Sequence, residues 1–169
     1  MVIRQEQPSD LTNIYTVVKA AFDHAEHADG NEPDLVNALR SSNAYIPALS
    51  LVAEIDGKIV GHILFTQLRI GETVQLALAP LSVLPAYQRQ GIGAALIREG
   101  HRKAQALGYA FSVVLGSETY YPKFGYQPAK HYGIFPPFDV PDQNFMACKL
   151  ADPAHAVSGI VQYAEEFGI

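Results

Sequence analysis

One stretch, Leu81–Leu96, constrains the fold of this chain more than any other. It begins with an apolar, β-prone segment that ends at Pro85; a short polar turn with Gly91 and Gly93 follows, and then an apolar helical segment. A strand, a glycine-rich turn and a helix in this order expose backbone N–H groups at the start of the helix, where the helix dipole favours anions. The stretch therefore predicts a pyrophosphate-binding turn.

Other phosphate motifs do not fit this turn. A dinucleotide-binding fingerprint would require glycine where Leu96 stands, and a P-loop would require a lysine after the glycines. The two glycines still allow a bulky anion close to the backbone, because glycine has no Cβ and adopts positive φ readily. Arg89 can add a charged contact at the rim. The alternative interpretation is an ordinary glycine-rich loop before a helix.

Composition limits the function classes. The chain has 169 residues, 49% hydrophobic and 17% charged, which is typical of one globular domain over residues 1–169. A net charge of −5 argues against sequence-independent nucleic-acid binding. The single cysteine, Cys148, excludes an intramolecular disulfide, and no apolar segment approaches the roughly 20 residues that cross a bilayer. We expect a cytoplasmic protein with no membrane and no nucleic-acid partner.

Hydrophobic periodicity predicts a mixed α/β sheet with helices on both faces. The expected helices cover residues 11–22, a segment beginning at Pro33, and residues 91–107 and 118–124. The expected strands cover residues 2–5, 49–55, 59–68, 74–84, 111–115 and 145–150. The order is helices, a meander of three strands, helix, strand, helix and strand.

The opening stretch resembles the acetyl-coenzyme A motif of the GNAT N-acetyltransferases, L-x-V-x-P followed by Q-x-x-G-x-G, from Leu81 to Gly93. Residues 120–126, YYPKFGY, are similar to the family's Y-x-x-x-G-F element after the fifth strand. Two further segments, LSLVAEIDGKIVGHILF and VPDQNFMACKL, resemble the YhbS-like branch of predicted bacterial acetyltransferases. The resemblance implies the acyl-CoA N-acyltransferase fold, with a mostly antiparallel sheet splayed at its centre.

The resemblance also implies how acetyl-CoA is bound. Backbone groups of Leu81, Ser82 and Val83 would pair with the pantetheine arm, and backbone N–H groups of residues 88–94 would bind the pyrophosphate. This second group comprises Gln88, Arg89, Gln90, Gly91, Ile92, Gly93 and Ala94. The strand from Phe111 would diverge from the preceding strand and open a cleft for the arm.

Ser117 and Tyr121 follow that strand and would face the thioester. Tyr121 lies four residues before Gly125, where the family carries its general acid. A phenol with a pKa of about 10 stays protonated at neutral pH and can donate to a leaving thiolate. Aromatic packing is the alternative role for either tyrosine of the pair, and we expect Tyr120 to pack or to line the site.

The general base is open, because the strand VQLALAPLSVL has no Asp or Glu where many relatives carry a carboxylate. Proton removal through ordered water is one alternative. Side chains elsewhere that could serve, each also explained as a solvated surface group, are Glu26, Glu32, Glu54, Glu118, His24 and His27. We expect His62 to be a hydrogen-bonded sheet histidine and Cys148 a core thiol, with His131 a weaker candidate near the acceptor.

No metal is expected. The loop residues His24, Glu26, His27 and Asp29 fit no standard zinc spacing, because a second pair of ligands is missing. The acceptor site would be formed by the loop at residues 23–33 and the proline-rich segment at 128–141, and neither identifies its chemistry.

The sequence as a whole predicts an N-acetyltransferase that moves an acetyl group from acetyl-CoA to a primary amine of a small molecule or peptide. Direct attack in a ternary complex is the expected mechanism. One alternative is a non-catalytic acyl-CoA-binding or sensor module, which would not need Tyr121. Another is an unrelated nucleotide-binding regulatory domain, which would bind ATP or NAD rather than CoA.

Overall fold

The structure, a computed structural model, describes residues 1–23 and 30–169. The α-helices in these ranges are α1 Leu11–Phe22, α2 Glu32–Arg40 and α3 Ile92–Ala106. The strands are β1 Val2–Gln5, β2 Tyr45–Ile55, β3 Lys58–Ile70, β4 Thr73–Val83, β5 Phe111–Leu115, β6 Tyr126–Pro128, β7 Ile134–Phe135, β8 Phe145–Lys149 and β9 Gly159–Gln162. Short 3₁₀ helices lie at Pro8–Asp10, Pro85–Tyr87, Tyr121–Phe124, Ala129–Tyr132, Asp142–Asn144 and Glu165–Phe167.

The strands form a mixed, mostly antiparallel sheet in the order β1-β2-β3-β4-β5-β8-β6, and β9 pairs with β3 and β7. The pair β4–β5 is parallel, as is the short pair β7–β9, and the other pairs are antiparallel. The predicted α/β fold class is therefore confirmed. None of the helices in the described ranges has the length and apolar character needed to cross a bilayer.

Helices cover both faces of the sheet because side chains alternate along each strand. Leu51 and Ile63 lie opposite each other in the β2–β3 register and belong to the same buried cluster as Leu96 of α3. Val52, one position along, belongs to the cluster that contains Val18 of α1 and also residues of α2. Apolar burial at roughly 25 cal/mol per Å² is the main stabilising term on each face. We call these the α3 face and the α1/α2 face.

Two predicted helix boundaries need correction. The short helix predicted over residues 118–124 is a single 3₁₀ turn at Tyr121–Phe124, and it ends at Gly125, which has φ +93°. The helix predicted from Gly91 begins at Ile92, because Gly91 has φ +85° and cannot be helical. The end of the short helix before Gly125 was predicted correctly, whereas its start was predicted three residues early; the second error comes from the left-handed conformation of Gly91.

Glu6, just after β1, connects the edge of the sheet to α2. Its carboxylate pairs with the Arg40 guanidinium, with 2.7 Å between Arg40 Nε and Glu6 Oε2, and it accepts a hydrogen bond from the Ser50 hydroxyl. His62 Nε2 lies 3.5 Å from Oε1. Burial raises the pKa of Glu6, but hydrogen bonds from His62, Arg40 and Ser50 outweigh burial and lower that pKa to about 2.

We expect the free energy of unfolding of Glu6→Gln to change less than that of wild type as the pH is lowered. The pKa of Glu6 is lowered from 4.5 to about 2 in the fold, so its ionised form stabilises the protein above about pH 4.5 and that contribution is lost as the pH falls towards 2. A shift of this size corresponds to about 3 kcal/mol. Urea unfolding at neutral and at acid pH measures it, with Asp142→Asn, an exposed carboxylate paired with Lys130, as the control. If wild type and Glu6→Gln lost the same amount of unfolding free energy between neutral and acid pH, the prediction would be contradicted.

Candidate active site

The strands β4 and β5 diverge along most of their length. They pair at two positions, Leu76 with Ser112 and Ala77 with Val113. Beyond Ala77, no strand in the described part of the chain pairs with this edge of β4. The backbone N–H and C=O groups of an unpaired strand edge are available to an extended ligand. The divergence therefore forms a cleft with a row of backbone donors and acceptors on one side.

This cleft has a volume of about 480 Å³. It lies between the end of β4, the start of α3 and the turn that follows β5. Its lining residues are Leu81, Val83, Tyr87, Gln88, Arg89, Gly91, Ile92, Gly93, Ala94, Tyr120 and Lys123. Of the residues that the sequence predicts to bind the cofactor, Ser82, Gln90, Ser117 and Tyr121 are outside this lining.

The start of α3 faces the cleft with free backbone donors. The first helical hydrogen bond here runs from the Ala95 N–H to the Gly91 carbonyl, at 3.0 Å. The N–H groups of Ile92, Gly93 and Ala94 precede it and have no partner within the helix. Together with the positive end of the helix dipole, these donors suit a phosphate group.

Two glutamines hold the turn that leads into this helix. The Gln88 side-chain amide donates to the Val83 carbonyl at 3.0 Å, and the Gln90 amide donates to the Ala86 carbonyl at 3.2 Å. These bonds fix the turn from within. Arg89 between them is exposed and has φ +63°, an uncommon backbone conformation for a residue with a side chain.

Tyr120 forms a wall of the cleft. Its hydroxyl oxygen lies 2.6 Å from the position that a Cβ on Gly93 would occupy. The Lys123 ammonium lies 5.8 Å from the centre of the Tyr120 ring, within cation–π range. Lys123 and Arg89 therefore place two cations on a cleft of an otherwise acidic chain. Lys123 was not among the residues predicted from the sequence, although it lies within the YYPKFGY segment that carried the resemblance.

Tyr121 lies behind Tyr120, with the two ring centres 5.2 Å apart. Its ring packs so closely on Gly116, the residue after β5, that a Cβ there would lie 2.5 Å from it. It also contacts the ring of Tyr126 edge-on. Burial raises the pKa of Tyr121 well above its usual value, so its phenol is protonated at neutral pH.

The two predicted serines have different surroundings. Ser82 is 1% exposed and points to the α1/α2 face, because Leu81 and Val83 on either side of it point into the cleft. Ser117 is exposed, and its hydroxyl bonds with Thr119 at 2.9 Å. The Ser117 carbonyl accepts from the Tyr121 N–H at 3.2 Å, so this residue stabilises the turn that carries the tyrosines.

The candidates for a general base are scattered. Glu54 pairs with Arg4, Glu118 accepts a hydrogen bond from Asn144, and His131 contacts Gln127 on the surface. Glu32 begins α2. His24, Glu26 and His27 lie outside the described residues. Geometry therefore singles out none of the predicted bases.

Two remaining predictions from the sequence concern a metal site and the thiol of Cys148. No group of three or more potential metal ligands occurs in residues 1–23 and 30–169, and the loop cluster with Asp29 lies outside them. Cys148 is buried, and burial raises the pKa of its thiol to about 11. Since the thiolate is the reactive form, Cys148 behaves as the predicted core thiol.

Comparison with known proteins gives this site a context. A family model described as the acetyltransferase (GNAT) domain matches residues 47–128, from β2 to β6. The uncharacterized N-acetyltransferase YjhQ of Escherichia coli K12 is 38% identical over 80% of this chain and 75% of its own. The uncharacterized N-acetyltransferase YhbS of the same strain is 33% identical over 99% of this chain and 98% of its own.

Two solved structures match over nearly the whole chain. The E. coli YhbS structure in complex with CoA has a TM-score of 0.89 at 31% identity, and it covers 99% of this chain and 92% of its own. A GNAT family acetyltransferase from Brucella melitensis in complex with acetyl-CoA has a TM-score of 0.81 at 34% identity, with 98% and 97% covered. The fold and these relatives define an acyltransferase. The chain belongs to the GNAT family of N-acetyltransferases.

Proposed function

We propose that residues 1–169 act as one domain that transfers the acetyl group of acetyl-CoA to a primary amine of a small molecule or peptide. The observation that carries this proposal is the cleft in which an unpaired edge of β4 leads to the free start of α3. An extended arm that ends in a pyrophosphate is complementary to that shape. The YhbS structure with CoA and the Brucella structure with acetyl-CoA support the choice of donor.

In this proposal the donor binds mainly through the backbone. The edge groups of Leu81, Ser82 and Val83 pair with the amides of the pantetheine arm. The N–H groups of residues 88–94, which we call the phosphate turn, bind the pyrophosphate. Arg89 and Lys123 add positive charge at the rim, where they partly offset the repulsion between phosphates and an acidic protein.

Chemistry then takes place at the open end of the arm, away from the phosphates. The neutral amine nitrogen attacks the thioester carbon directly in a ternary complex, a C–N bond forms and the C–S bond breaks. A backbone N–H of the β4 edge stabilises the negative charge that develops on the carbonyl oxygen. Ser117 faces the thioester, and Tyr121 gives its phenolic proton to the departing thiolate.

The position of Tyr121 favours it over Tyr120 as the acid. Tyr120 touches Gly93, so its hydroxyl lies at the phosphate end of the cleft. Tyr121 packs on Gly116, at the end of the strand that diverges from β4. The pantetheine arm separates the thiol from the pyrophosphate, so an acid for the thiolate belongs with Gly116 rather than with Gly93.

Ligand binding and turnover test this function separately. We expect CoA and acetyl-CoA to raise the melting temperature, because a ligand of the native state stabilises it by mass action, and we expect ATP and NAD to leave it unchanged. With a panel of small primary amines and lysine-bearing peptides, acetyl-CoA should release free thiol, measured with a thiol-reactive dye. A protein that binds CoA but releases no thiol across the panel would favour the non-catalytic module. Stabilisation by ATP or NAD alone would overturn the proposal.

A further inference from the structure

A row of buried polar side chains crosses the α1/α2 face from β1 to β4. Glu6 follows β1, Ser50 lies on β2, His62 on β3 and Ser82 on β4. Ser50 and His62 are fully buried, and Ser82 is 1% exposed. His62 and Ser82 are opposite each other in the β3–β4 register, so their side chains leave the sheet on the same face. The row therefore ends at the strand that borders the cleft.

The hydrogen bonds of this row fix the tautomer of His62. Glu6 is ionised at neutral pH, since its pKa is about 2, and it can only accept. The single hydroxyl hydrogen of Ser50 is committed to Glu6 in a short hydrogen bond. Ser50 Oγ also lies 2.9 Å from His62 Nε2, so at this contact Nε2–H must donate. Neutral His62 therefore carries its lone pair on Nδ1.

Two atoms at the end of the row have no partner. His62 Nδ1 and Ser82 Oγ are both buried and make no hydrogen bond with any described residue. A buried polar atom without a partner destabilises a protein by about 1–3 kcal/mol, and such atoms are few in native proteins. An acceptor and a donor left free on facing strands are complementary to each other. Facing residues of an antiparallel pair have Cβ atoms roughly 4.5–5.5 Å apart, so one ordered water between these two atoms would give each of them a partner.

The surroundings keep His62 neutral in the resting protein. Burial lowers its pKa, and the charged groups near it are Glu6 and Arg40, which act in opposite directions. Helix α1 covers this face with apolar side chains, Ile14, Val17 and Val18. A proton on Nδ1 would give an imidazolium whose Nε2 side faces the ionised Glu6, and opposite charges at this range stabilise each other.

Ser82 is also suitably placed with respect to the proposed reaction. Its neighbours Leu81 and Val83 line the cleft on the α3 face, where the donor would bind. The β4 edge beyond Ala77 has no strand partner among the described residues, so the backbone at Ser82 borders the open side of the cleft. The side chains of Ser82 and His62 are buried on the opposite face, beneath α1, so a proton from the acceptor would reach them through water at this edge.

We infer that Ser82 and His62 form a proton relay that takes the proton from the attacking amine, in place of the carboxylate that β4 lacks. The inference rests on the proposed acetyl transfer. As the C–N bond forms, the amine nitrogen passes a proton through water to Ser82 Oγ, while the Ser82 hydroxyl proton moves to His62 Nδ1. The C–S bond breaks, and the thiolate takes its proton from Tyr121. Glu6 and Ser50 are positioning residues that hold the imidazole. After product release His62 returns its proton to solvent and the Tyr121 phenolate takes one from solvent, which restores the starting state.

The first test needs no acceptor. Proton–nitrogen correlation spectra of histidine-labelled protein report which ring nitrogen carries the proton, and His62→Gln assigns the signal. We expect Nε2 to be protonated and Nδ1 to be bare, and we expect Ser82→Ala to shift the Nδ1 resonance. Thr66→Val is the matched control, because Thr66 Oγ1 is another buried hydroxyl without a partner in the described ranges. A proton on Nδ1 would overturn the relay whether or not the protein is an acetyltransferase.

The second test is kinetic and uses an amine from the panel that supports turnover. We expect Ser82→Ala to lower kcat by about 100-fold, as removal of a general base does, with little change in the KM for acetyl-CoA. The melting temperature should fall only slightly, since the variant removes one buried hydroxyl and leaves His62 Nδ1 without its relay partner. In wild type, kcat should fall at acid pH as His62 becomes protonated. In His62→Gln this fall should disappear.

The outcomes separate the relay from the proposed function. If wild type turns over and Ser82→Ala has the kcat of Thr66→Val, the relay is wrong while the acetyltransferase stands. If wild type does not turn over, the proposed function fails, and a bare Nδ1 that responds to Ser82→Ala would still support the Ser82–His62 hydrogen bond. A merely structural role for the row predicts a lower melting temperature for His62→Gln and no specific effect of Ser82→Ala on kcat.

Discussion

Tyr121→Phe is expected to slow the release of free CoA by about 100-fold and to leave the affinity for acetyl-CoA nearly unchanged. The variant keeps the ring that packs on Gly116 and Tyr126 and removes only the phenolic hydroxyl. Burial raises the pKa of this phenol, so the proton is present on it throughout the neutral range. Thiol release with a supporting amine gives the rate, and calorimetric titration gives the affinity.

Tyr120→Phe is the matched control, because it removes the neighbouring hydroxyl from the wall of the cleft. We expect it to weaken binding of CoA several-fold with a smaller effect on the maximal rate, since this hydroxyl lies against Gly93 at the phosphate end. The two variants should thus separate affinity from rate. A rate loss in Tyr120→Phe with none in Tyr121→Phe would move the acid to Tyr120 and contradict the assignment from sequence.

The part of the site that is local in sequence could be predicted. Residues 81–96 form a strand, a turn and a helix in succession, so their spacing alone determines that the helix start faces the end of the strand. The alternation of apolar residues likewise indicated the long meander β2–β4 and its two covered faces. The start of the short helix was predicted three residues early, and Gly91 was predicted to be helical, although its positive φ places it before the helix and the sequence gives no direct measure of φ.

The parts that depend on distant residues could not be predicted. Which tyrosine of the pair reaches the cleft depends on Gly93 and Gly116, two contacts that no motif spacing specifies. The row from Glu6 to Ser82 joins four segments of the chain through β-sheet register, and a register shift of one residue would send Ser82 to the other face. His62 was expected to be a satisfied sheet histidine, whereas its Nδ1 has no partner in the described part of the structure.

Gly93→Ala is expected to reduce the affinity for CoA by at least about 10-fold while changing folding stability little. The position is helical, and alanine favours helices over glycine by up to about 1 kcal/mol, so the backbone tolerates the change. The new Cβ, however, would lie 2.6 Å from the Tyr120 hydroxyl and 3.6 Å from the Leu81 side chain, both of which line the cleft. Either Tyr120 moves into the cleft or the phosphate loses its close approach to the helix start.

Gly91→Ala is the control with the opposite expected pattern. A Cβ at Gly91 meets no protein atom within 4 Å, so it displaces no side chain, but φ +85° is strained for alanine and should lower the free energy of unfolding by about 1–2 kcal/mol. The double variant Gly93→Ala with Tyr120→Phe distinguishes the two causes of lost affinity, because it removes the hydroxyl that the Cβ meets. Recovery of binding in the double variant would identify displacement of Tyr120 as the cause, and no recovery would identify the lost approach to the backbone. Wild-type affinity in Gly93→Ala itself would show that the donor phosphates do not bind at the start of α3.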